Sequence, residues 1–112
     1  MKTEQLGQNE WRPFLERLSK VLEGKRATVE VAGLDIGDQI QTKQAAIYGI
    51  VYDPKDNLIE VALEGLDHLI RSPRKVDIAY QNGAIEAIHI GDGEGREQIV
   101  RFSDPLMLPA PK

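Results

Sequence analysis

The chain has 112 residues, a net charge of −4, 41% hydrophobic and 29% charged residues, and no cysteine. That length accommodates one domain and no second independent core. Without cysteine there is no disulfide framework, thiolate metal site or cysteine nucleophile, and the mild acidity argues against a general nucleic-acid binder.

Residues 1–8 are polar and read as a flexible tail. Asn9 reads as a helix N-cap, followed by Trp11, Phe14, Leu15, Leu18, Val21 and Leu22 at helical spacing. Arg12, Glu16, Arg17, Ser19, Lys20 and Glu23 take the opposite face, and Pro13 falls in the first turn. Gly24 suits the left-handed residue that ends a helix, so the helix is predicted over 9–23.

From Lys25 the hydrophobic period becomes two, and Val29 and Val31 should face the core. The run GLDIGDQ, residues 33–39, marks a bend. Residues 45–52 are apolar on both faces, which predicts a central strand covered on both sides, with Gly49 at a close backbone approach. Residues 53–57 form a turn, with Pro54 presetting φ and Asn57 tolerating a positive one. In the next strand Ile59, Val61 and Leu63 should point inward.

GLDHLI, residues 65–70, reads as a single helical turn, and Pro73 should hold Ser72 extended. Val76, Ile78 and Tyr80 lead into Asn82-Gly83, a strong hairpin signal. A regular two-residue loop would pair Tyr80 with Ile85, Ile78 with Ala87 and Val76 with His89, placing His89 on the apolar face. GDGEG, residues 91–95, makes a looser hairpin into residues 97–102. Asp104-Pro105 should break the last strand before a C-terminal tail over 104–112, in which residues 106–108 pack back.

The elements predict a single α+β domain over 1–112, with antiparallel strands across 25–103. An N-terminal amphipathic helix would pack on a five- or six-stranded, strongly bent antiparallel sheet or small barrel. No apolar run approaches the ~20 residues that span a bilayer, and the N-terminus lacks a signal-peptide core. The expected location is cytoplasmic, with no membrane association.

Few residues point to catalysis. Asp35, Asp38, Asp53 and Asp56 offer carboxylates for a carboxylate/histidine cleft with His68 or His89, yet each lies where a turn takes an aspartate. A pocket lined by these groups would favour an enzyme. The serines lack a nucleophile elbow, GDGEG is followed by a strand where phosphate binding needs a helix, and no catalytic residue, metal or cofactor is expected. Residues 53–67 carry a net charge of −4, whereas Arg71, Arg74 and Lys75 against Asp77 make residues 68–77 net +2. That polarity makes His68, Arg71, Arg74 and Lys75 the candidate binding residues, for another protein or a small anionic ligand.

GLDIGDQ (33–39), YDPKDN (52–57), ALEGLDHLIRSPR (62–74) and QIVRFSDPLML (98–108) resemble a family of small bacterial proteins of uncharacterised function. With the helix around Trp11 the resemblance covers nearly the whole chain, and it implies no activity, cofactor or catalytic residue. A helix followed by antiparallel strands also resembles the Sm-like small barrel, which implies nucleic-acid binding as the alternative to an interaction module.

Overall fold

The computed structural model describes residues 2–107. Its elements are β1 (Lys2–Leu6), α1 (Gln8–Ser19), β2 (Arg26–Gly33), β3 (Gly37–Asp53), β4 (Leu58–Leu63), β5 (Leu66–Arg71), β6 (Lys75–Gln81), β7 (Ala84–Gly91) and β8 (Glu97–Leu106). One helix and eight strands make an α+β fold, with the sheet antiparallel throughout in the order β1-β6-β7-β8-β2-β3-β4-β5. The sheet thus has eight strands rather than five or six, and it begins before the helix.

The expected tail is β1, paired with β6 along its whole length. Its side chains are polar except Leu6, so it is held mainly by backbone hydrogen bonds, which leave no hydrophobic pattern. Leu6 is buried, as is Trp11 five residues on, the positions of a hydrophobic staple around Gly7. Glu10 accepts from the Gly7 N–H at 2.8 Å, which starts the helix two residues before the Asn9 cap would have done. Pro13 therefore sits in the second turn, on the exposed side.

Trp11, Phe14, Leu15 and Leu18 are buried as the periodicity predicts. Trp11 meets Tyr52 edge to face, with ring centroids 5.2 Å apart. The helix stops at Ser19, short of residue 23, and Leu22 reaches the core from the turn beyond. Ser19 ties the helix end to the sheet. Its hydroxyl donates to the Ile50 carbonyl at 2.8 Å and accepts from the Ile50 N–H at 3.0 Å, so it belongs to the sheet contact, not the polar face.

That contact sits on β3, the longest element at 17 residues. Its first half pairs with β2 and its second half with β4, so one strand joins the two parts of the sheet. A bulge between Ile47 and Gly49 breaks the alternation. Ile47, Ile50 and Tyr52 consequently share the buried face, while Tyr48 and Val51 are exposed. The strand is covered on one side, not two. A Cβ on Gly49 would stand 3.8 Å from the Ser19 hydroxyl, an ordinary contact, so no close backbone approach requires the glycine there. Ser19→Ala is expected to lower stability by about 1–2 kcal/mol by leaving both Ile50 backbone groups without this partner. Denaturant titration measures the loss.

Asn57, Asn82 and Gly83 all have positive φ, as their turns require, and Ile59, Val61 and Leu63 are buried. Two hairpins differ from expectation. Glu64 and Gly65 make a turn into β5, so GLDHLI is mostly a strand. The β6–β7 pairing begins with Tyr80 opposite Ile85, then shifts by one between Ala79 and Tyr80. Ala79 therefore faces Ala87, and Asp77 faces His89. A one-residue shift reverses which face a side chain takes. His89 points outward, with Nδ1 2.7 Å from a Glu97 carboxylate oxygen.

At the chain's end, β8 continues through Asp104 and Pro105 to Leu106, which is buried and faces Ile85. The edge of the pairing tolerates Pro105. Met107 is exposed, and residue 108 and the rest of the expected tail lie outside the described residues. Among the described residues, no helix is long and apolar enough to cross a membrane.

Candidate functional site

β5 is the last strand of the sheet, paired on one side only. Leu66, His68 and Ile70 turn toward the core, whereas Asp67, Leu69 and Arg71 are exposed on the other face. The Ser72 N–H donates to the Asn57 carbonyl at 2.9 Å. That bond, continued along the register Ile59↔Ile70, Val61↔His68, Leu63↔Leu66, assigns the alternate residues of β5 to hydrogen bonds with β4. The N–H and C=O groups of Asp67, Leu69 and Arg71 therefore point away from β4. They form a free backbone edge.

A side-chain relay fixes the other face of β5. His68 Nε2 lies 2.8 Å from Gln98 Oε1, and Gln98 Nε2 donates to Asp92 Oδ2 at 3.0 Å. A carboxylate only accepts, so Asp92 sets the orientation of the amide, and His68 Nε2 must then be the donor. Asp92 Oδ1 also accepts from the backbone N–H groups of Glu94 and Arg96, at 2.9 and 3.0 Å. Burial pushes the Asp92 carboxyl up, but the Gln98 amide, the two loop N–H groups and the Arg96 charge outweigh it and hold the carboxyl below its usual range. Arg96 in turn donates to Asp35 at 2.8 Å, a bond that lowers the Asp35 carboxyl and ties the β2–β3 turn to the β7–β8 loop.

Beside the free edge lies a cavity of about 320 Å³. β5 contributes His68, Leu69 and Arg71, β3 contributes Gln39 and Gln41, and the β7–β8 loop contributes Glu94 and Arg96. The structure thus brings His68 and Arg71 to one site. Arg74 and Lys75 are elsewhere. The Arg74 N–H donates to the Gly91 carbonyl at 2.8 Å, and Lys75 Nζ lies 3.5 Å from Asp77. Ser72 between them has φ +53 rather than an extended backbone, because the chain is pinned on β4 before it and on Gly91 after it.

On the exposed face Glu60 stands beside Asp67, whose carboxyl, through hydrogen bonding and then its charge, raises the Glu60 carboxyl above its usual range. Of the turn aspartates, Asp53 accepts from the N–H groups of Lys55 and Asp56, as a turn residue does. Asp92 and Gln98 are the site residues that sequence reasoning passed over. Asp92 opens a glycine-rich hairpin, where aspartate is ordinary, but Gln98 shares the inward phase of Val100 and Phe102. A lone amide on an apolar strand face was a readable signal.

No solved structure matches the chain. It is 33% identical to an uncharacterised protein of Aquifex aeolicus (strain VF5) over 110 residues, which are 97% of this chain and 99% of that protein. The model of a family of unknown function, DUF5335, matches residues 2–111, in keeping with the resemblance of the four motifs, and the chain belongs to that family.

Proposed function

We propose that this protein is a non-enzymatic protein-binding module that captures an extended polypeptide segment by adding it as a strand to β5. The observation that carries the reading is the free edge itself, with three consecutive outward-directed N–H and C=O pairs at Asp67, Leu69 and Arg71. Main-chain bonds would supply affinity, and the alternate side chains of the guest would supply specificity.

The adjoining cavity favours a polypeptide over a small anion. Its ionised lining is balanced, with Asp92 and Glu94 against Arg71 and Arg96. Gln39 and Gln41 add neutral donors and acceptors for a guest side chain. His68 has a holding role, since its bond to Gln98 anchors β5 to β8 and keeps the edge in place.

Extended peptides with a central apolar residue between an acidic and a basic one test this reading. Binding is expected to slow hydrogen exchange at the amides of Asp67, Leu69 and Arg71. Leu69→Pro removes one outward N–H at an edge position where proline is tolerated, and is expected to weaken binding at least tenfold while the sheet stays folded. Peptide affinity that Leu69→Pro leaves unchanged would exclude strand addition.

A further inference from the structure

The pattern on the free edge is self-complementary. Along β5 the exposed side chains are Asp67, Leu69 and Arg71, an acid and a base placed symmetrically about an apolar residue. Two such strands running antiparallel, with Leu69 opposite Leu69 of a second copy, would set each Asp67 opposite Arg71 of the other copy. Building on the strand-addition reading, we infer that the guest of this edge is a second copy of the same chain, docked β5 to β5 about a two-fold axis.

Three features of the edge agree on that register. The outward N–H and C=O groups belong to these same residues, so the three facing pairs are all hydrogen-bonded pairs. Leu69 is 40% exposed at the centre, where pairing with its own copy covers an apolar side chain. Asp67 has Glu60 as its carboxyl neighbour, and Arg71 has no ion-pair partner among the described residues. In the pair each Asp67 gains a guanidinium, and each Arg71 gains a carboxylate.

Because the interface is reciprocal, charge reversal makes a selective test. Sedimentation velocity of the full chain over roughly a thousandfold concentration range is expected to show a monomer–dimer equilibrium for the native protein. Asp67→Arg and Arg71→Asp each set like charges opposite one another twice, and each is expected to weaken self-association at least tenfold. An equimolar mixture of the two variants is expected to form a heterodimer, and Asp67→Arg/Arg71→Asp to recover the homodimer. Amide chemical shifts away from β5 confirm that each variant is folded.

A native protein that stays monomeric at every concentration overturns the inference, as does a dimer that both reversals leave intact. A monomer that still binds extended peptides in a Leu69-dependent way removes the second copy as guest while keeping strand addition. A monomer that binds no such peptide removes both.

Discussion

Asp92→Ala is expected to destabilise the fold by about 3 kcal/mol and to loosen β5 from β8. The substitution leaves three donors without their acceptor, the N–H groups of Glu94 and Arg96 and the amide of Gln98. Gln98 is buried, so its freed amide has no ready route to water. Once that amide can turn, the orientation that makes His68 Nε2 a donor is no longer enforced. Denaturant titration reads the stability loss, and hydrogen exchange in β5 reads the loosening.

The conservative change separates charge from geometry. Asp92→Asn keeps an oxygen for the loop N–H groups but turns an NH₂ toward Gln98. The Gln98 amide is then expected to flip, so that His68 Nε2 becomes an acceptor and the imidazole proton moves to Nδ1. Nitrogen chemical shifts of the His68 ring distinguish the two tautomers. The Asp92 carboxyl is held below its usual range, so its contribution to stability is fully present above the unfolded value of about 3.9 and declines as pH falls below that. The acid limb of stability against pH should be shallower in Asp92→Asn.

Gly93→Ala is expected to lower stability by about 2 kcal/mol and to disturb the same site from its other end. An added Cβ would stand 2.8 Å from the Ser72 Cβ and 3.2 Å from the Ser72 carbonyl oxygen. Neither atom is the end of a flexible side chain, so the backbone of the β5–β6 connection must give way. Ser72 cannot retreat freely, because it already has φ +53 and its N–H is bonded to Asn57. Thermal unfolding measures the loss. Adding Ser72→Gly is expected to restore most of it, since it removes the facing Cβ and the left-handed penalty together. A Gly93→Ala protein as stable as the native one would show that the loop is not packed against the β5–β6 connection in solution.

The legible parts of this fold were those that local chemistry determines. Trp11, Phe14, Leu15 and Leu18 declare the helix by spacing, and Asn57 and Asn82-Gly83 declare their turns by tolerating positive φ. What escaped depends on contacts distant in sequence. Nothing around Lys2–Leu6 marks it as a strand until β6 lies beside it. The Ala79/Tyr80 shift that turns His89 outward and the Ile47/Gly49 bulge that uncovers Tyr48 both break an alternation that sequence reading must assume regular.

The candidate site divides along the same line. His68 and Arg71 stood out by charge and meet at one edge, but Arg74 and Lys75 shared only their place in the sequence. By Lys75 the chain has passed from β5 to β6, so the basic cluster is spread over β5, the connection that holds Arg74, and β6. Asp92 and Gln98 carry no charge pattern of their own, and their role exists only because residues 30 positions apart, His68 and Gln98, are hydrogen-bonded.

The pairing of β2 with β8, which sets Ala27 opposite Phe102, has a consequence for biosynthesis. β2 leaves the ribosome early and can form its hairpin with β3 at once, yet its other edge stays open until β8 has been made. Until β8 emerges the nascent chain therefore exposes an unfilled strand position in the middle of its future sheet, where aggregation begins readily. The closing step joins segments distant in sequence, Ala27 with Phe102 and Ala32 with Glu97, so folding should be slow for a domain of this size. Substitutions that delay β8 should lower soluble yield more than they lower the stability of the finished protein.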